Sequence, residues 1–121
     1  MAVAYRGTNF TFQILFLDAL GNPTVVTNPS IEVFAFDVGG TKVTLVPSGT
    51  ALSPVLGDTG RYSYIYFVPE VWVYQPTLYG MLTGVEPVTG GTIHAEHAVD
   101  VQSPQILTTR SGLIAQFVKG G

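Results

Sequence analysis

The chain has no cysteine. Disulfides, thiolate metal centres and a cysteine nucleophile are therefore excluded. Charge is scarce too: Asp, Glu, Lys and Arg make up 11% of the 121 residues, against roughly a quarter in an ordinary soluble domain. Only two lysines occur, Lys42 and Lys119. The dense basic footprint that nucleic acid requires is missing, so no nucleic-acid partner is expected. Apolar runs such as Ile14 to Leu17 end after a few residues, far short of the ~20 of a membrane-spanning helix, and no membrane partner is expected. Before the extreme C-terminus no window carries the helical i, i+3, i+4, i+7 stripe. The opening, Met1 to Gly7, has no basic segment leading into an apolar one. Synthesis in a cytoplasm without export is the expectation.

The apolar share is 46% and the mean hydropathy +0.37. The hydropathy is high because charge is low. A small monomer relies on surface charge to stay soluble and unassociated. A chain that dispenses with it is expected to cover much of its surface with partners. Charge is also unevenly placed. Residues 1–102 hold three cations, Arg6, Lys42 and Arg61, against all eight acids, a formal −5. Residues 103–121 hold Arg110 and Lys119 and no acid, a formal +2.

Period-2 patterns run through the chain. From Thr8 to Asp18, Phe10, Phe12, Ile14 and Phe16 share one face of a strand, with Thr11 and Gln13 on the other. The formal glycosylation sequon Asn9-Phe10-Thr11 reads as the start of that strand. Asp18 to Pro23 is a turn, Thr24 to Thr27 a short β-branched run, and Ser30 to Asp37 a strand apolar on both faces. That double-sided pattern predicts cover on two sides, or a second surface that meets a partner. Val38-Gly39-Gly40-Thr41 predicts a hairpin into a short strand over 42–46. Residues 47–57 read as a loop. Strands over 77–83 and 92–101 follow, with Ile93, Ala95, His97, Val99 and Val101 on one face. Turn signals every 8–12 residues are the spacing of a sandwich or barrel.

The most telling stretch runs from Gly57 to Pro69. Asp58 has the chemistry to bond backbone two residues on, and Gly60 accepts positive φ. Tyr62, Tyr64 and Tyr66 then fall on one strand face, leaving Ile65 and Phe67 on the other. A turn feeding a tyrosine whose hydroxyl bonds upstream backbone is how immunoglobulin-like sandwiches pin a corner. Asp58, Gly60 and Tyr62 are the predicted corner, and Tyr64 and Tyr66 predicted core. The fold expected is all-β: an immunoglobulin-like antiparallel β-sandwich of seven or eight strands over residues 1–102. A C-terminal arm, 103–121, completes the chain.

The order of signals resembles small immunoglobulin-like structural proteins of tailed bacteriophage virions. The matching pieces are Tyr5-Arg6-Gly7 through Phe12, Asp18 to Pro23, Ile31 to Gly40, Asp58 to Pro69, and Gly90 to Val101. They cover about residues 5–102. Low charge, the segment around Trp72 and the apolar arm depart from the pattern. The resemblance implies a virion location and a structural part: a capsid cement or decoration protein, or a neck or tail component. Its partners would be copies of itself and a major capsid, tail or neck protein. Cement or decoration is the preferred reading, since one domain with a short arm suits a repeated clamp.

No chemistry stands out. In His94-Ala95-Glu96-His97, a strand puts His94 and Glu96 on one face and His97 on the other. Three ligands on one metal would require a break. Asp18, Asn22, Asp37 and Asp58 fit turns better than a calcium loop. No phosphate loop or nucleophile-elbow motif occurs. No enzyme activity, catalytic residue, metal, cofactor or small-molecule substrate is expected.

The candidate interface is Ile65, Phe67, Trp72 and Tyr74 with the apolar arm residues Ile106, Leu107, Leu113, Ile114, Phe117 and Val118. The last four are spaced for one or two helical turns. The arm has three arrangements open to it: folded on its own domain, docked on a neighbouring subunit, or disordered. An alternative function is a carbohydrate-binding or adhesive sandwich in which Trp72, Tyr74 and Tyr79 stack on sugar.

Overall fold

A computed structural model of the chain describes residues 2–103, 107–109 and 112–116. Among these residues ten strands occur: β1 (Ala2–Tyr5), β2 (Asn9–Leu15), β3 (Thr27–Phe36), β4 (Lys42–Ala51), β5 (Ser53–Pro54), β6 (Arg61–Phe67), β7 (Thr77–Val85), β8 (Thr92–Gln102), β9 (Leu107–Thr109) and β10 (Gly112–Gln116). No helix is present among the described residues. A five-stranded sheet, in the order β1-β8-β7-β3-β4, packs against a three-stranded sheet, β2-β6-β5. β2, β5 and β6 oppose β3, β7 and β8 as in an immunoglobulin-like sandwich, while β1 joins the larger sheet. β9 and β10 make a separate antiparallel pair.

Alternation builds the core. Phe12 and Phe16 from β2 and its continuation, Tyr62 from β6, Ile31 and Val33 from β3, Leu78 and Leu82 from β7, and Val99 from β8 are all buried. The aromatic payload comes from the small sheet, and the large sheet makes room for it with glycine. A Cβ on Gly80 would lie 2.6 Å from Cε1 of Phe12. One on Gly84 would lie 2.6 Å from Cγ2 of Val26. Both contacts are closer than packed atoms tolerate, so β7 is held to glycine where Phe12 and Val26 press on it.

Four expectations need correction. β1, unassigned from sequence, pairs parallel with β8, Ala2 opposite Val99 through Tyr5 opposite Gln102; the five-stranded sheet is therefore mixed. β4 runs on through the expected loop to Ala51. It does so by bulging at Pro47–Gly49, where the register with β3 shifts and Gly49 takes φ +89°. β3 begins at Thr27, three residues before the expected start. Leu113 and Ile114 lie in strand β10, paired through Gly112 opposite Thr109 and Gln116 opposite Leu107, and not in a helical turn. So short a helix has too few internal bonds to repay its nucleation, whereas a hairpin closes locally. Ile106, Phe117 and Val118 lie outside the described residues.

Candidate interaction surface

The two outward faces of the sandwich differ in how they are covered. On the five-stranded sheet, Phe34 points away from the core yet is only 6% exposed. Tyr79 stacks on it with centroids 5.2 Å apart, and Phe36 meets both rings edge-on. The Lys42 ammonium lies 4.4 Å from the Phe34 centroid and pairs with Glu32 at 3.1 Å. The apolar second side of β3 thus finds its cover within the chain.

The three-stranded sheet does not cover itself. Ile65 is 62% exposed and Phe67 57%. Asn9 sits opposite Phe67, Thr11 opposite Ile65 and Gln13 opposite Ser63. Asn9, Thr11 and Gln13 are short or neutral side chains, themselves exposed. The cation on this face, Arg61, is engaged by Asp58, Nε to Oδ2 at 2.6 Å. The result is an open, low-charge strip with two large apolar side chains at its centre.

The turn that feeds β6 joins it to β5 within one sheet. Gly60 takes φ +83°, and a Cβ there would sit 2.9 Å from the Phe16 oxygen and the Thr24 nitrogen. The Asp58 carboxylate pairs with the Arg61 guanidinium, not with backbone two residues on; the Asp58 carbonyl accepts the Arg61 N–H at 3.1 Å. The Tyr62 hydroxyl does bind upstream backbone, but as acceptor, from the Val26 N–H at 3.3 Å. Asp18 and Asp37 cap their own turns: Oδ1 of each accepts two backbone N–H groups, those of Leu20 and Asn22, and of Gly39 and Thr41.

Trp72 and Tyr74 are half-buried, edge to face at 5.0 Å, in a strandless connection after β6. The Trp72 indole donates to the Gln75 carbonyl at 2.8 Å and its ring packs on the core. Their neighbours Val71 and Val73 are the exposed residues, at 73% and 62%. Burial, then the neighbouring phenols of Tyr74 and Tyr64, push the Tyr66 phenol upward; both Tyr64 and Tyr66 pack against the core from its margin. Tyr79 belongs to the other aromatic group, with Phe34 and Phe36. The three rings of the sugar-stacking alternative are therefore held in two separate clusters. Of the arm, Leu107 lies in β9, and Leu113 and Ile114 lie in β10.

His97 points inward, edge-on to Phe10 and Phe12 at 5.9 and 5.7 Å, while His94 and Glu96 are exposed on the opposite side. No group of three metal-ligating side chains occurs among the described residues. A cavity of about 590 Å³ beside the turn is lined by Val25, Pro54, Val55, Leu56 and Tyr62, with Asp58 and Arg61 as its charged groups. Those two are committed to each other. What the surface offers is apolar area and open backbone. No protein-family model matches the chain, and no curated protein or solved structure matches it.

Proposed function

We propose that the protein is a non-enzymatic assembly subunit, a virion structural part of the capsid cement or decoration type. It packs on copies of itself and on a larger shell protein. The observation that carries this reading is the uncovered strip of the three-stranded sheet. Ile65 and Phe67 stand exposed there, while Phe34 on the opposite face is closed over by Tyr79 and Lys42. A fold that covers one apolar face and leaves Ile65 and Phe67 open on the other supports a contact on the open side. Fully burying side chains of this size contributes about 1.5–3 kcal/mol each. A standard contact hides ~800 Å² per partner. Scarce surface charge supports the same reading, since such a contact needs no ion pairs. The virion and its shell rest on the sequence resemblance to phage structural proteins.

The test is electron microscopy and sedimentation of the protein as it purifies from its source. The expected result is recovery in a particle fraction at a fixed copy number. Recovery solely as a monomer at high concentration would overturn the proposal.

A further inference from the structure

The two principal sheets present four edge strands, β1, β4, β2 and β5. Natural edges are blunted by shortness, lysine, proline or bulges, because an open edge recruits another strand. β5 is two residues long and ends in Pro54. β1 has four residues and leads into Arg6. β4 starts at Lys42, contains Pro47 and Gly49, and breaks register at its bulge. β2 has none of these devices: Asn-Phe-Thr-Phe-Gln-Ile-Leu is seven residues without charge, proline or glycine, in unbroken register with β6.

The ladder phase identifies which backbone groups are open. The Thr8 carbonyl accepts the Val68 N–H, and the Phe16 N–H donates to the Gly60 carbonyl. In an antiparallel pair the bonded residues alternate, so even-numbered residues of β2 face β6. The N–H and C=O groups of Asn9, Thr11, Gln13 and Leu15 face outward, with no strand beside them among the described residues. The side chains of Asn9, Thr11 and Gln13 are exposed as well.

The geometry points to a second copy of this chain as the occupant, its own β2 running antiparallel across a two-fold axis. Full overlap of 9–15 sets Asn9 of one copy opposite Leu15 of the other and Thr11 opposite Gln13. In that register outward-facing groups meet outward-facing groups, each pair exchanging two hydrogen bonds. A two-fold contact brings like residues together, and a segment without charge meets no like-charge penalty there. The two small sheets become one six-stranded sheet, and the faces bearing Ile65 and Phe67 join side by side into a single surface of double width. This deepens the assembly reading above and rests on it.

The experiment is sedimentation equilibrium of the full chain and two variants, with cross-linking of a third. Thr11→Pro removes an outward N–H and no bond to β6; Thr11→Lys places a charge from each copy beside the axis if proline perturbs folding. Thr11→Cys/Gln13→Cys introduces thiols into a chain that has none. The expected results are a dimer, a dissociation constant raised at least about tenfold in either Thr11 variant (1.4 kcal/mol), and a disulfide-linked dimer on mild oxidation. A dimer that survives both Thr11 substitutions, or a wild-type monomer at ~100 µM that resists cross-linking, overturns the β2 seam; such a dissociation constant corresponds to only about 5–6 kcal/mol. If Ile65→Thr/Phe67→Thr still abolishes particle binding in that case, the assembly reading stands while the seam falls. If particle binding is unaffected, both fall.

Discussion

The hydroxyl of Tyr62 accepts the backbone N–H of Val26 at 3.3 Å, from 36 residues further along the chain. Val26 and Tyr62 are both buried, at 6% and 5% exposure, so the bond is largely shielded from bulk solvent. The bond ties the stretch leading into β3 to the start of β6, across the gap between the sheets. Tyr62→Phe leaves that N–H unsatisfied. A loss of about 1 kcal/mol is expected, at the low end for a buried orphan because the bond is long. Urea unfolding of the two proteins measures it, and an unchanged midpoint would remove the bond from the stability of the turn.

Gly60 and Gly21 share positive φ, +83° and +84°, but only Gly60 has backbone within 3 Å of where a Cβ would go. Gly21→Ala should cost about 1–2 kcal/mol, the left-handed penalty alone. Gly60→Ala should cost about 2–4 kcal/mol, since overpacking adds to that penalty. Thermal melts of both variants separate the two contributions, and equal losses would show that the close approach of Phe16 and Thr24 is immaterial.

The Gly80–Phe12 contact predicts a coupled pair. Gly80→Ala drives a methyl into the Phe12 ring and should destabilise by about 1–3 kcal/mol. Shrinking the ring first, with Phe12→Leu, should cut that loss. A double-mutant cycle reads the coupling, expected at about 0.5–3 kcal/mol for residues in contact; strict additivity would contradict the packing described.

Glu86 gives a pH signature. Its carboxylate accepts the Val88 N–H at 2.8 Å, and the Thr89 hydroxyl and N–H at 2.8 and 3.1 Å. The Val88 bond chiefly, then those from Thr89, hold its pKa below the ordinary glutamate range. A lowered folded pKa means a contribution that is complete above the unfolded value of about 4.3. It drains away as pH falls from there through the folded value. The Tm advantage of wild type over Glu86→Gln should therefore be larger at pH 7 than at pH 3. An advantage independent of pH would mean that the ionised form has no preference for this turn.

Ile65→Thr/Phe67→Thr changes two exposed side chains on a strand that tolerates threonine. Unfolding free energy should move by no more than about 0.5 kcal/mol for each site. Sedimentation with native particles should drop sharply. A large loss of stability would place these side chains in the fold's own packing instead of at a contact.

Much of this architecture was legible because strand period and turn chemistry agree. Phe10 to Phe16, the Asp37 hairpin and the Tyr62 strand each announce themselves within a dozen residues, and the exposure of Ile65 and Phe67 followed from parity alone. What could not be read depends on distant partners. Ala2–Tyr5 is too short and too plain to declare a strand until β8 lies beside it. The bulge at Pro47–Gly49 uses residues that ordinarily end a strand. The self-cover of Phe34 needs Tyr79, which lies 45 positions away in sequence. The inward turn of Trp72 is decided by its bond to Gln75 and by the core beneath it.

The parallel clasp of β1 on β8 has a mechanical meaning. Tension between Ala2 and the segment after Gln102 draws the two strands in opposite directions along their length. The bonds of that ladder are then loaded together in shear, not opened one after another like a zipper. β7 grips β8 from the other side over nine residue pairs, Thr77 to Val85. A subunit tethered through its two ends would resist pulling far better than one held through the Asp37 hairpin. Force spectroscopy along the two axes would show the difference as a higher rupture force for the end-to-end pull.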